Sequence, residues 1–344
     1  MTDYDFDLPP GQIAATPARP RDSARLLHVG GSGGGHRADR LHPYSLTDLH
    51  VTDLPGLLAP GDVMVVNDTR VIPAQLDARR GAARIGVTLD QPRPDGTWHA
   101  LVRNARRLRP GDTLDFDRAP GLQAIVLACA DGAATVRFNL DGAAFQAALQ
   151  QAGALALPPY IPRPNGPTPA DATDYQTIFA QHDGAVAAPT AALHFTPALL
   201  ACLPVPVTVT LHVGAGTFLP MRDGPADHVM HRERGVITAA AAEAINAARR
   251  VVAVGTTTLR LLESAAGPHG VTPYEGDTAL FIQPGFSFRV VSRLMTNFHL
   301  PRSTLFMLVC AFAGAERMRA AYAHAIGAGY RFYSYGDSSL LERP

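Results

Sequence analysis

A chain of 344 residues exceeds the usual size of one domain, and its 47% hydrophobic and 17% charged content is that of a soluble globular protein with a sizeable core. Formal net charge is zero, which excludes the bulk basic field of many nucleic-acid binders and leaves only a local patch for any such partner. There is no lysine, so every basic residue is arginine; a Walker lysine and a Schiff-base lysine are both excluded, while guanidinium forks remain for phosphate.

The longest apolar run, residues 305–313, is about half the length that spans a bilayer and reads as a buried helix. Residues 1–10 are acidic and lack a basic stretch followed by an apolar one, so no signal peptide is expected. Cys129, Cys202 and Cys310 lie far apart among apolar neighbours, as buried free thiols in a reducing compartment do. The expected location is the cytoplasm, with no membrane association.

In chain order, the first sixty or so residues show no core of their own and are expected to pack on a later α/β unit. Residues 30–35 (GGSGGG) read as a surface turn, since neither Lys-Ser/Thr nor an apolar helix follows. Short strands are predicted over 63–67, 75–78, 84–89, 97–102, 113–116, 122–130 and 134–138, separated by Gly/Pro/Asp turns such as Pro110-Gly111-Asp112 and Asp131-Gly132. Such close spacing predicts a small antiparallel barrel or sandwich, closed by a helix over 143–152. The Pro-rich run 157–164 is an extended connector.

Beyond it, Thr196 and Pro197 predict a helix start. Strands are expected over 205–213, 251–254, 279–282 and 288–294. Helices are expected over 239–248, 256–266, 303–313 and 315–328. The predicted fold is mixed α/β with an inserted antiparallel β-barrel: residues 1–72 and 155–344 form a discontinuous main domain around 73–154.

Histidine carries most of the chemical signal. His194, His212, His228, His231 and His299 all fall at predicted strand ends or adjoining turns, where α/β folds bind ligands. Gly214 and Gly216 are followed by a stretch with Pro220 and Pro225 that cannot be a helix, so this is no dinucleotide fingerprint. Glycine here suits close approach of backbone amides to a ligand, with Thr217 beside them. Gly255-Thr256-Thr257 between a strand and a helix offers hydroxyls and amides to an anion or a ribose, with Arg260 one turn further on. His228 and His231 lie three apart near Glu233, but no third ligand completes a zinc set, so no metal is expected. Arg331 and Tyr335 belong to an aromatic run suited to stacking on a base, or to an ordinary edge or core strand. Arg103, Arg106, Arg107 and Arg109 make the dense basic patch, a surface for RNA phosphates or a solvated loop.

Across nearly its whole length the chain resembles the S-adenosylmethionine:tRNA ribosyltransferase-isomerases of queuosine biosynthesis. The resemblance rests on Tyr4 to Pro10, Arg25-Leu26-Leu27, Asn67-Asp68-Thr69-Arg70-Val71-Ile72-Pro73-Ala74, and Leu157-Pro158-Pro159-Tyr160-Ile161. It continues through Tyr175-Gln176-Thr177, Gly184 to Ala191, Leu193-His194-Phe195, the segments of His212, His228 and His231, Gly255 to Thr257, Thr296 to Pro301, and Tyr330 to Asp337. The family commonly has Gly at Ala192, Ser-Val at Thr258-Leu259, Phe at Tyr333, Glu at Gly86 and Ala-Met at Ser338-Ser339.

The resemblance implies an α/β domain with an inserted barrel, and a reaction. The ribosyl part of S-adenosylmethionine passes to 7-aminomethyl-7-deazaguanine at the tRNA wobble position and is isomerised, giving epoxyqueuosine, adenine and methionine. S-adenosylmethionine is then a co-substrate, with no permanently bound cofactor or metal; the partner is the tRNA, and a monomer is expected. Such chemistry needs a base for the C5′ proton, an acid for adenine and donors for an oxyanion. The candidates are His212, His194, His231, His228, His299 and Glu233 for catalysis. Gly214, Gly216, Thr217, Thr256, Thr257, Arg260 and Thr190 are candidates for S-adenosylmethionine, and Arg331, Tyr335, Arg106 and Arg107 for tRNA. Several of the histidines are expected to converge on one cleft, with His212 nearest the sulfonium and its pKa lowered there.

Overall fold

The computed structural model describes residues 4–31, 44–218 and 232–344. Its larger sheet has nine strands, in the spatial order Tyr274–Thr278, Glu233–Ile237, Val207–Leu211, Asp62–Asn67, Arg250–Val254, Arg293–Asn297, Ser338–Glu342, Arg25–Gly30 and Ser45–His50. The four strands from Val207–Leu211 to Arg293–Asn297 run parallel to one another.

Side chains on a strand alternate between faces, and here each face has its own core. Val65, Val251, Ala253 and Leu294 pack on one side with Leu259, Phe306 and Tyr322, under the helices Ala239–Asn246, Thr256–Ser264, Thr304–Ala313 and Ala315–Gly327. Met64, Val66, Val252, Val254 and Met295 point the other way, against Leu54, Phe179, Phe195 and Leu199. Burial on both faces is why these strands read as continuous apolar runs. The N-terminal residues join this sheet through Arg25–Gly30 and Ser45–His50, as expected for a segment without its own core.

Between Asp62–Asn67 and Val207–Leu211 the chain builds the second large sheet. Gln75–Arg80, Ala83–Pro92, Trp98–Arg103, Ala133–Phe138, Gln123–Ala130 and Thr113–Asp115 follow one another around a closed antiparallel barrel, sealed where Arg79 pairs with Asp115. Leu76, Ile85, Val87, Leu89, Leu114, Val126 and Val136 fill it, and the helix Gly142–Ala152 adds Phe145 and Leu149. Closure leaves no free edges around the ring. The fold is mixed α/β with an antiparallel barrel.

Two expected strands move. Residues 279–282 and most of 288–294 are irregular, and the strands are Tyr274–Thr278 and Arg293–Asn297 instead. Tyr274–Thr278 is an edge strand with polar, exposed Glu275 and Asp277, so it gave no apolar run to read. Ile282 and Val291 are apolar because they pack into the core, which needs no strand. The helix expected at Thr196 is a single turn, Pro197–Leu200, capped by the Thr196 hydroxyl. The glycine run 30–35 leaves the described residues after Gly31. No helix among the described residues is long and apolar enough to cross a membrane.

Candidate functional site

Four parallel strands end on one edge of the large sheet, at Leu211, Asn67, Val254 and Asn297. Strand order reverses about Asp62–Asn67, because the chain returns at Val207–Leu211 on one side and at Arg250–Val254 on the other. Such a reversal opens a crevice beyond the strand ends, the usual ligand position in open α/β sheets. Asn67, fully buried, ties the crevice floor: its amide nitrogen donates to the Leu211 carbonyl at 2.9 Å, and its oxygen accepts from the amides of Leu211 and Thr69.

His212 follows Leu211 and lines a recess of about 570 Å³ with Asp68, His182, Asp183, Thr208 and Thr210. Its Nδ1 lies 2.7 Å from the Thr69 hydroxyl. In the tautomer that carries its proton on Nδ1, that nitrogen donates to the Thr69 hydroxyl, which itself reaches the His182 carbonyl at 3.5 Å, and the lone pair lies on His212 Nε2. The ring rests on Gly184, where an added Cβ would stand 2.8 Å from Nδ1. Burial lowers the His212 pKa, helped by neighbouring His182 and opposed by Asp68 and Asp183. A neutral imidazole with its lone pair on Nε2 is a base.

The glycines after His212 approach a ligand of a different kind from the expected one. Buried Asp90, on the barrel strand Ala83–Pro92, accepts the Gly216 amide at 3.3 Å, and an added Cβ on Gly214 would stand 2.6 Å from the same oxygen. His99 Nδ1 holds the other carboxylate oxygen at 2.9 Å. A protein carboxylate thus occupies the glycine loop, and the barrel is clasped to the turn that carries His212.

The next strand ends are more enclosed. Thr190 donates to the Asn297 carbonyl oxygen at 3.0 Å, which fixes the Asn297 amide nitrogen as donor to His194 Nε2 at 3.1 Å. His194 is buried and its pKa falls to about 3, chiefly from burial and then from the charges of Arg21 and Arg331. His299, 3.1 Å from the Thr296 hydroxyl, is likewise buried, and its pKa also falls to about 3. Gly255, at φ +93°, opens the helix Thr256–Ser264 and brings the Thr257 hydroxyl and Ala191 together around its Cα. Thr256 is buried, and the Thr257 hydroxyl is buried with no partner among the described residues.

Residues 1–341 match the family model described as "Queuosine biosynthesis protein". The chain is 64% identical to a Gluconacetobacter diazotrophicus protein, over 99% of this chain and 96% of that one, and 60% identical to one from Acidiphilium cryptum, over 100% and 99%. Both relatives are named S-adenosylmethionine:tRNA ribosyltransferase-isomerase. The crystal structure of S-adenosylmethionine tRNA ribosyltransferase from Thermotoga maritima superposes with a TM-score of 0.53 at 32% identity, covering 98% of this chain and 99% of that one. The chain belongs to this queuosine-biosynthesis family. It is an enzyme of the transferase-isomerase class.

Within this family member, the residues singled out from sequence are spread along the strand-end edge and beyond it. His212 lines the recess, whereas His194 and His299 sit in separate buried polar clusters. Glu233 and Arg260 pair with each other in the core, and Arg260 Nε donates to the Leu280 carbonyl at 2.9 Å. Arg260 thus faces the outer strands and not the helix start. Arg331 donates to the carbonyls of Thr16 and Tyr335. Tyr335 is buried, edge-on to Tyr175 and beneath Arg21, so its faces are taken by protein neighbours. Arg106 and Arg107 are exposed on the turn Ala105–Arg107, beside a recess of about 490 Å³. Arg103 folds over Gly86, where an added Cβ would stand 2.9 Å from the guanidinium. Ser338 and Ser339 both donate to the Thr296 carbonyl. His228 and His231 lie outside the described residues, as does the Thr217 side chain.

Sequence reading missed Asp68, Thr69 and His182 as site residues, and Asp90 as the glycine loop's anion. Asp68 and Thr69 stand inside a motif that carries the family resemblance, which was the available signal, whereas His182 falls between two such motifs. Asp90 gave none, being 126 residues from Gly216.

Proposed function

We propose that this enzyme transfers the ribosyl part of S-adenosylmethionine to 7-aminomethyl-7-deazaguanine at the wobble position of tRNA. It isomerises that part to the epoxycyclopentanediol of epoxyqueuosine and releases adenine and methionine. The observation that carries the reading to this chain is the His212 recess, in a protein matching the family over residues 1–341. Its volume suits a small co-substrate. Asp68 and Asp183 on its wall suit a sulfonium cation, whose charge acidifies the adjacent C5′ hydrogen. Neutral His212, its Nδ1–H spent on Thr69, takes that proton at Nε2. Methionine carboxylate or ribose hydroxyls meet Thr256 and Thr257, and arginines of the barrel turn meet tRNA phosphate. The reaction uses no resident cofactor or metal, and the enzyme acts as a cytoplasmic monomer. Residues 73–154 form an inserted domain, a division supported by the barrel's own apolar core.

The test is incubation with tRNA bearing the 7-aminomethyl base and S-adenosylmethionine labelled in its methyl carbon. Nucleoside mass spectrometry should find unlabelled epoxyqueuosine, with one adenine released per nucleoside. Methyl label in the tRNA would overturn the reading.

A further inference from the structure

His212 shares its recess with a second imidazole in a different setting. His182 begins the strand His182–Ala185, in parallel register with Thr69, and its amide donates to the Asp68 carbonyl at 3.2 Å. The ring is 61% exposed, and its Nε2 lies 3.7 Å from Asp68 Oδ2. Asp68 itself is buried, and its other oxygen accepts from the Thr210 hydroxyl at 2.6 Å. Thr210 thereby orients the carboxylate toward His182. One imidazole is half-buried and tied to a neutral hydroxyl; the other is open to solvent and faces a fixed carboxylate. Two titratable groups in such unlike settings divide the acid and base roles of a reaction between them.

We infer that His182 is the general acid of this site, delivering a proton to the departing adenine while Asp68 holds its ring and balances its charge. The inference rests on the reaction proposed above. In that reaction His212 takes the C5′ proton, and the electron pair left on C5′ forms a double bond to C4′ as the C4′–O4′ bond breaks. The pair on O4′ then closes a carbonyl at C1′, the C1′–N9 bond breaks, and its pair leaves with adenine. Adenine takes the His182 proton, and His182 regains one from solvent, to which it is exposed. No oxidant or reductant enters the step.

The experiment compares wild type with His182→Ala in heavy water, with tRNA carrying the 7-aminomethyl base. Adenine release should fall about 100-fold or more in the variant, while deuterium enters C5′ of recovered S-adenosylmethionine no more slowly than in wild type. Added imidazole should restore part of the adenine release, because the vacated position is open to solvent; S-adenosylmethionine affinity should stay within a few-fold, which also reports a folded protein. Adenine release within a few-fold of wild type overturns the assignment. So does loss of C5′ exchange together with release, which would place His182 at proton abstraction. Wild type releasing no adenine would instead remove the reaction itself.

Discussion

At the scale of single residues, burial fixes which imidazoles can exchange protons with a substrate. His194 and His299 are held neutral, with pKa values near 3, because no countercharge among the described residues repays the cost of burying an imidazolium. Both are depressed below the unfolded value of about 6.5, so their contribution to stability is complete above that pH and is lost as pH falls toward 3. Through that window the unfolded chain binds protons that the folded chain refuses, at roughly 1.4 kcal/mol per pH unit for each histidine. Asp171 and Glu342, both lowered to about 2 by partners led by Arg163 and His28 respectively, lose their contribution only below the ordinary carboxylate range. Urea unfolding between pH 7 and 5 therefore isolates the histidines. Stability should fall with pH, and His194→Gln or His299→Gln should each flatten the slope. An unchanged slope in both variants would contradict the assignment of neutral, buried rings.

At the scale of elements, the recess depends on how closely the strand His182–Ala185 approaches the turn after Val207–Leu211. Gly184, at φ +150°, lies against the His212 ring, and any side chain there meets ring atoms at 2.8–2.9 Å. Gly184→Ala should push the imidazole from Thr69 and lower turnover by about 100-fold, the usual penalty of a misplacement near 1 Å. Its unfolding midpoint should shift far less. Activity lost only in proportion to the unfolded fraction would show Gly184 to be a matter of stability alone. The sequence made the barrel strands legible because Gly/Pro/Asp turns bracket each one, and the central sheet strands because both faces are buried. It hid Tyr274–Thr278, whose exposed acids break the apolar pattern, and it placed an apolar run in a strand where the core needed only packing. The site was legible as segments and not as contacts. His212 was evident beside its glycines, but its pairing with Thr69 and Gly184 arises only when two distant stretches lie side by side. For the same reason Arg260 looked available to a ligand until Glu233 was found against it.

At the scale of the molecule, the barrel is joined to the sheet at the turn bearing His212, through the Asp90 clasp on Gly216. A contact made by the barrel with a large substrate is thus made by a body fixed at the rim of the recess. With no lysine and zero formal net charge, phosphate recognition falls to arginines that protein carboxylates leave available. Arg79 and Arg80 are engaged by Asp117 and Asp112, whereas Arg106 and Arg107 stand exposed with no ion pair among the described residues. Each phosphate they meet releases a condensed counterion from the RNA, so their effect is read in salt dependence before it is read in rate. Replacing both (Arg106→Ala with Arg107→Ala) should weaken tRNA binding at low salt and reduce the slope of log affinity against log salt by roughly 1 to 2. Turnover at saturating tRNA should stay near wild type, since a phosphate contact far from the reacting atoms holds substrate and transition state alike. Filter binding across a salt series, alongside kcat at saturation, makes the measurement. An unchanged slope would take this turn off the RNA surface, whereas a fall in kcat with the slope intact would mean the turn acts on the recess through the barrel.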